Sequence, residues 1–304
     1  MSKQQQTELD AMLRKAPLDT SVDVPTLRAI FEEVMRQVPV APDVRRTPIT
    51  VGGIGALEVT IDGTDPADVI LYFHGGVYVI GSAAATVPLV SDLARRTATK
   101  VITVDYRLAP EHPFPAALQD ARAAYEGLLE QGVDPDRIAL AGESAGAGLA
   151  VATLVALRDA GKTLPSSAFL MSPYVDLTLS GESLVNKAAL DPILTPDGLR
   201  QRVTDYVADA DPSDPYVSPI HGDLAGLPPM LIQVGSHEIL LSDAIRLAAR
   251  AATADVAVTL DVVPGVPHVF QAYAVMLDEG DAALDRAASF LTASFAAPHA
   301  TLAT

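Results

Sequence analysis

The stretch that most constrains the fold is residues 138–150, which read IALAGESAGAGLA. The apolar run 138–141 is typical of a buried strand, and the strong helix formers of 147–158 predict a helix. Ser144 therefore lies on a tight strand-to-helix turn, with a glycine two positions before it and another two positions after it. Only small residues let a strand and a helix pass so closely, and the N–H of Ala145 faces this turn from a positively polarised helix end. The pattern indicates a nucleophile elbow.

The pentapeptide Gly-x-Ser-x-Gly also occurs by chance. The alternative is a glycine-rich connection in which the serine only caps the helix that follows. The choice between the two depends on which other groups the chain brings to the same edge of its sheet.

The rest of the chain alternates between strand and helix patterns, which argues for a mostly parallel sheet with helices on both faces. Residues 69–73, VILYF, form a continuous apolar run, as in a strand buried on both faces. The glycine pair 52–53 between the first two strands indicates a hairpin. The expected strands are 47–51, 56–61, 69–73, 100–104, 138–141, 167–171, 229–234 and 256–263, and the expected helices are 86–97, 116–131, 147–158, 241–254 and 280–295.

One structural unit accounts for the whole chain of 304 residues. We expect a catalytic core from residues 46–177 and 216–298. Residues 1–45 show two amphipathic helical patterns ahead of the sheet, which predict N-terminal cap helices, although plain packing helices are the alternative. Residues 178–215 interrupt the strand–helix alternation and predict a cap insertion.

Charge and composition exclude several classes of function. A net charge of −17 argues against nucleic acid and anionic membranes as partners, because both need a basic surface. The chain has no cysteine, so it has neither a disulfide frame nor a cysteine nucleophile. The first six residues, MSKQQQ, lack the apolar core of a signal peptide, and the longest apolar run is too short to span a bilayer. We therefore expect a cytoplasmic protein.

Four unusual segments follow predicted strands, at the edge where open α/β sheets bind ligands. They are HGG at 74–76, GESAG at 142–146, GSHE at 235–238 and VPH at 266–268. Together they supply the groups of acyl-transfer chemistry: Ser144 as nucleophile, His268 as general base and Glu238 as the acid that orients the histidine. The chain order serine, acid, histidine is the one expected of the α/β-hydrolase fold.

The backbone N–H groups of Gly75, Gly76 and Ala145 are candidates for an oxyanion hole. Each such donor contributes roughly 3–4 kcal/mol to the transition state. His268 is selected among the six histidines because it alone falls in a loop after the last strand. Asp243 is the alternative to Glu238, but it lies inside the next predicted helix, where a salt bridge is the simpler interpretation. The chain has no HExxH motif or similar close histidine pair, so we predict no metal.

These motifs resemble those of the hormone-sensitive-lipase-like bacterial esterases, or family IV lipolytic enzymes. The resemblance covers residues 40–295 and is carried by HGG, GESAG, the block DYRLAPEHPFPAA at 105–117, DP at 191–192 and VPHVF at 266–270. It implies an α/β-hydrolase core with a helical cap, no cofactor, and hydrolysis of short acyl esters. Our leading hypothesis is therefore a serine carboxylesterase that hydrolyses short- to medium-chain acyl esters of small molecules through an acyl-enzyme intermediate. The family often forms dimers, so we expect a homodimer.

The chain departs from the family pattern in four places. Glu143 replaces the usual aspartate of the elbow, and Ala147 replaces its last glycine. Val77 stands where the oxyanion motif usually has a third glycine. Glu238 replaces the usual aspartate of the triad, a variant that similar sequences share.

Two further activities are compatible with the same residues. Lactone or amide hydrolysis would use the same triad and differ only in the pocket. A small-molecule receptor on this fold, as in plant gibberellin receptors, is disfavoured because the triad histidine is present. Candidate pocket residues are Tyr78, Tyr174, Phe31 and Val185.

Overall fold

The central element of the computed structural model, which describes residues 3–15 and 18–296, is one sheet. Within these residues the sheet has eight strands in the order β1-β2-β4-β3-β5-β6-β7-β8. β1 and β2 pair antiparallel, as do β2 and β4, and every other neighbouring pair is parallel. The mostly parallel sheet is therefore confirmed. The strands are β1 Val44–Val51, β2 Ile54–Ile61, β3 Val69–Phe73, β4 Lys100–Val104, β5 Ile138–Glu143, β6 Ser167–Met171, β7 Met230–Gly235 and β8 Val258–Val263.

Helices follow most of the strands, as the alternation predicts. The α-helices are α1 Lys3–Lys15, α2 Val24–Arg36, α3 Val87–Thr97, α4 Ala116–Glu130, α5 Ala145–Asp159, α6 Ser183–Asn186, α7 Pro196–Val207, α8 Leu241–Thr253 and α9 Asp278–Ala296. Short 3₁₀ turns cover Ala84–Thr86, Pro135–Arg137, Pro219–His221 and Phe270–Tyr273. Residues 1–2, 16–17 and 297–298 of the predicted units lie outside the described part of the chain.

Both faces of the sheet are covered by helices. Side chains of a strand alternate between the two faces, so one strand contributes to both cores. Val69, Leu71 and Phe73 of β3 pack into a core with α4, α5 and α8. Ile70 and Tyr72 of the same strand pack into a second core with α3 and α9. This arrangement explains why β3 is apolar at every position, and it confirms helices on both faces.

The glycine pair between the first two strands forms the predicted hairpin. Val51 pairs with Ile54, and Gly52 and Gly53 take φ of 58° and 82°. Positive φ at both central residues is what a two-residue hairpin turn needs.

Strand β5 is longer than the apolar run predicts. Gly142 and Glu143 stay paired with Leu170 and Met171 of β6, so the strand ends at Glu143 and the helix begins at Ala145. The neighbouring strand supplies hydrogen bonds that the sequence pattern does not reveal. Ser144 is therefore the single residue between strand and helix.

The N-terminal helices contact the insertion and the core. Arg14 of α1 donates to the carbonyl oxygens of Ala189 and Leu190, at 3.3 and 3.0 Å. Arg202 of α7 donates to the carbonyl of Val22, at 3.2 Å. The two segments predicted to form a cap thus lie against each other.

Candidate active site

Ser144 has a strained backbone, with φ 55° and ψ −120°. Such a conformation is costly for a residue with a side chain and persists only where neighbours hold it. The N–H of Ser144 donates to the carbonyl of Met171, at 2.9 Å, and its own carbonyl accepts from the N–H groups of Gly148 and Tyr174, at 3.1 and 3.0 Å. These bonds fix the hydroxyl at the carboxyl end of β5.

The two glycines of the elbow are explained by close packing. A Cβ atom on Gly146 would lie 1.9 Å from the carbonyl oxygen of Phe73, and one on Gly142 would lie 2.6 Å from the carbonyl carbon of Gly146. The N-terminal turn of α5 therefore presses directly on the strands beneath it.

His268 and Glu238 form a buried pair. His268 Nδ1 lies 3.0 Å from Glu238 Oε1, and both side chains are almost fully buried. Glu238 Oε2 accepts from the hydroxyl of Ser172, at 2.8 Å, and from the N–H of Gly235, at 2.9 Å. With Nδ1 protonated, the ring donates to Glu238 and leaves Nε2 free as a base.

The charge of Glu238 controls the titration of this histidine. Burial by itself lowers the pKa of His268, but the charge and the hydrogen bond of Glu238, together with nearby carboxylates, outweigh burial and raise the pKa above its usual 6.5. Asp191 and Glu143 contribute in the same direction.

The carboxyl end of β6 links the nucleophile to this pair. Met171 accepts from the N–H of Ser144, while the hydroxyl of the next residue, Ser172, donates to Glu238 and accepts from the N–H of Val269, at 3.0 Å. Ser144 and His268 both lie in the described part of the chain, and the hydroxyl of Ser144 makes no hydrogen bond to His268 there. In enzymes of this kind the distance between nucleophile and base is often long until substrate binds.

The turn that follows β3 lies beside the nucleophile, but one predicted donor is engaged. A Cβ atom on Gly75 would lie 3.2 Å from that of Ser144. The N–H of Gly75 donates to Glu143 Oε1, at 2.7 Å, so it does not face the site as a free donor. This bond contradicts the predicted oxyanion role of Gly75.

Three other N–H groups remain available at this turn and at the elbow. Those of Gly76, Val77 and Ala145 have no protein acceptor within the described part of the chain. Val77 has a φ of 47°, which is unfavourable for a β-branched residue and explains why the related motif carries glycine there. The turn is closed by the carbonyl of Gly76, which accepts from the N–H groups of Val79 and Ile80, at 2.9 and 3.0 Å.

His74 has a structural position beneath this turn. Its Nδ1 lies 2.7 Å from the carbonyl oxygen of Gly75, and its ring stacks on Tyr106 at 4.1 Å. The hydroxyl of Tyr106 donates to the carbonyl of His74, at 2.7 Å. Burial lowers the pKa of His74 to about 4, so the ring is neutral at physiological pH.

Asp243, the alternative acid, has other partners. It accepts from the N–H groups of Val175 and Asp176, at 3.1 and 3.0 Å, and from Arg246, at 3.1 Å. Burial raises the pKa of Asp243 to about 7. The geometry therefore favours Glu238 as the partner of His268.

Comparison with known proteins places the chain in a family. The model of the alpha/beta hydrolase fold family matches residues 70–272. The chain belongs to this α/β-hydrolase family. An acetyl-hydrolase of Streptomyces hygroscopicus is 48% identical over 222 residues, which cover 73% of this chain and 74% of the relative. An esterase of Acinetobacter venetianus is 38% identical over 279 residues, which cover 91% and 92%.

Comparison with solved structures identifies a subgroup of the family. The crystal structure of an esterase from the bacterial hormone-sensitive lipase family superposes on this α/β hydrolase with a TM-score of 0.92 and 38% identity, covering 97% of this chain and 100% of the other. The crystal structure of EstE5, which was soaked with p-nitrophenyl butyrate, gives a TM-score of 0.93 at the same identity and coverage. The predicted membership of the hormone-sensitive-lipase-like esterases is confirmed.

Sequence reasoning overlooked two residues that organise the site of this α/β hydrolase. The first is Ser172, and the only feature of the sequence that could have indicated its role is its position directly after a buried strand. Asp191 accepts from the N–H of Ile239, at 2.8 Å, and so ties the insertion to the residue after Glu238. Its signal was the Asp-Pro dipeptide, which counted only toward the resemblance.

The four candidate pocket residues of this α/β hydrolase have different surroundings. Tyr78 and Tyr174 are buried, and Tyr78 stacks on Tyr206 of α7 at 3.8 Å. Phe31 lines a cavity of about 470 Å³ beside α2. Val185 is 84% exposed, so its side chain forms no wall of an enclosed pocket, and its part in substrate binding stays a prediction.

The described residues of this α/β hydrolase contain no group of three or more histidine, aspartate or glutamate side chains arranged to hold a metal ion. Among the helices of residues 3–15 and 18–296, none has both the length and the apolar character needed to cross a bilayer.

Proposed function

We propose that the protein is a serine carboxylesterase that hydrolyses short- to medium-chain acyl esters of small molecules without a cofactor. The observation that carries the proposal is the buried His268–Glu238 pair, joined through β6 to a serine on a strained elbow. The relatives named esterase and acetyl-hydrolase support the same reaction class.

In the first half-reaction, Ser144 Oγ attacks the ester carbonyl carbon while His268 Nε2 takes its proton. The tetrahedral intermediate collapses, the C–O bond to the alcohol breaks, and His268 returns the proton to the leaving alkoxide. Glu238 stabilises the imidazolium through Nδ1. The product of this half-reaction is an acyl-enzyme on Ser144.

In the second half-reaction, water attacks the acyl carbon and gives its proton to His268. The second tetrahedral intermediate expels Ser144, which regains the proton, and the carboxylic acid leaves. The N–H groups of Gly76, Val77 and Ala145 donate to the oxyanion in both steps. Val77 thus takes the role first predicted for Gly75.

The cap comprises residues 1–45 and the insertion 178–215, around the core 46–177 and 216–298. The contacts between Arg14 and the insertion and between Arg202 and Val22 support this division. The stack of Tyr78 on Tyr206 brings the insertion against the turn after β3. The homodimer and the cytoplasmic location stay predictions.

A series of p-nitrophenyl esters of increasing acyl length, together with the Ser144→Ala variant, tests the proposal. We expect turnover highest for short and medium chains and abolished in Ser144→Ala, with an unchanged circular dichroism spectrum. Full hydrolysis by Ser144→Ala would refute the mechanism. A parallel series of lactones and amides tests the alternative substrates of the same triad, and faster turnover of either would overturn the ester assignment.

A further inference from the structure

Arg28 on helix α2 uses its guanidinium to bind two backbone carbonyls at once. Nε donates to the carbonyl of Val79, at 2.8 Å, and Nη2 donates to that of Ala109, at 2.9 Å. The Glu111 carboxylate accepts from Nη1 and Nη2, at 2.8 and 2.7 Å. A single side chain therefore joins the N-terminal region to two loops of the core.

Both carbonyls belong to segments that are bonded directly to the turn after β3. The N–H of Val79 closes this turn on the carbonyl of Gly76, at 2.9 Å. The N–H of Ala109 donates to the carbonyl of Tyr78, at 3.0 Å. Arg28 thus binds the turn through the carbonyl of Val79 and supports it through the segment of Ala109.

The turn needs such support, because two of its residues are strained. Val77 and Tyr78 have φ of 47° and 64°, and neither is glycine. Residues in this region cost of order 1–3 kcal/mol each and persist only where the surroundings hold them. Leu27, next to Arg28, is fully buried in the core cluster that also contains Val77 and Tyr78, so helix α2 and the turn are anchored in the same core.

We propose that Arg28 is a positioning residue for the oxyanion site, so that docking of helix α2 completes the alignment of the Gly76 and Val77 N–H groups. The inference rests on the proposed esterase function. It assigns the N-terminal helices a part in the chemical step in addition to any part in covering the substrate.

The bonds to the carbonyls, and not the ion pair, carry this effect. Glu111 is 55% exposed, and exposed ion pairs contribute little. The Glu111→Gln variant keeps an oxygen acceptor and leaves both carbonyl bonds in place, so its kcat should stay within about threefold of wild type. Arg28→Lys keeps the charge but loses the forked geometry that reaches both carbonyls.

The test compares Arg28→Lys and Arg28→Ala with the control Arg36→Gln. Arg36 lies on the same helix, is 67% exposed and pairs only with Glu33 among the described residues. We measure kcat and KM for p-nitrophenyl butyrate. We also measure the inhibition constant of a trifluoromethyl ketone, which adds to the serine hydroxyl to form a tetrahedral adduct that carries an oxyanion. Oxyanion donors that are displaced by a fraction of an ångström stabilise the transition state less, so kcat of both Arg28 variants should fall about tenfold or more.

The expected pattern separates positioning from stability. KM should change less than about threefold, while affinity for the ketone falls in parallel with kcat, since both depend on the oxyanion donors. Added guanidinium should restore part of kcat in Arg28→Ala and none in Arg36→Gln. Should Arg28→Ala fail to fold, Arg28→Lys provides the same comparison of kcat, KM and ketone affinity.

Unchanged kcat in both Arg28 variants, a change confined to KM, or an equal loss in Arg36→Gln overturns the inference. A wild-type protein inert toward every ester overturns the proposed function and this inference with it. An active wild type with fully active Arg28 variants overturns the inference alone.

Discussion

Glu143, the residue before the nucleophile, holds the N–H of Gly75 at 2.7 Å from its Oε1 atom. The elbow after β5 and the turn after β3 are therefore tied to each other, although 68 positions separate the two residues. This bond removes Gly75 from the set of free donors and moves the expected oxyanion site one residue along the turn.

The identity of the triad acid can be tested by two isosteric variants. Glu238→Gln should lower kcat by about 10³-fold or more, because the neutral amide no longer stabilises the imidazolium. Asp243→Asn should keep kcat within about threefold of wild type, since its carboxylate faces backbone N–H groups and Arg246. Steady-state kinetics with p-nitrophenyl butyrate measures both, and the reverse ranking would reject Glu238.

Ser172 should support catalysis through Glu238. Ser172→Ala removes the donor to Glu238 Oε2 and leaves the N–H of Val269 without its acceptor, so we expect kcat to fall about tenfold. The control Ser167→Ala lies at the other end of β6, where the hydroxyl contacts Ser294. Equal kcat in the two variants would show that the link through Ser172 is not used.

The pH profile should report His268. Protonated His268 cannot accept the serine proton, so kcat/KM should rise with pH, and its raised pKa places the midpoint of the rise above 6.5. Burial raises the pKa of Glu143 to about 7, so this carboxyl titrates in the same range.

The Glu143→Gln variant separates these two groups. The rise of kcat/KM should persist in this variant, because it belongs to the histidine. Loss of the rise in Glu143→Gln would assign the rise to the carboxyl of Glu143. The residual activity of Glu238→Gln should rise with a midpoint at lower pH than in wild type, because the charge that raises the pKa of His268 is gone.

The close contact at Gly146 predicts a stability effect. Its added Cβ would lie 1.9 and 2.5 Å from the carbonyl oxygens of Phe73 and His74, which are backbone atoms with little freedom to move. Gly146→Ala should therefore lower the free energy of unfolding by about 3 kcal/mol. Gly55→Ala is the control, because nothing lies within 4 Å of its added Cβ, and its change should stay within about 0.5 kcal/mol. Urea denaturation measures both, and similar midpoints would contradict the packing argument.

The predictions that held depended on local patterns. Strand β3 was bounded correctly, because a continuous apolar run of five residues has few other structures available. The boundary of β5 was missed by two residues, since its last bonds come from β6 rather than from its own side chains. The exposure of Val185 could not be predicted for a similar reason, because the exposure of a side chain on a short helix depends on what packs over it.

The sequence by itself determined the α/β alternation, the elbow around Ser144 and the loop histidine His268, because each depends on neighbours within a few residues. Only the tertiary structure decided which carboxylate faces His268, which N–H groups are free for an oxyanion, and that Arg28 reaches the turn after β3. These relationships join atoms on different strands and helices. A hydrogen bond needs its two atoms within about 3 Å of each other, and spacing along the chain does not specify such distances.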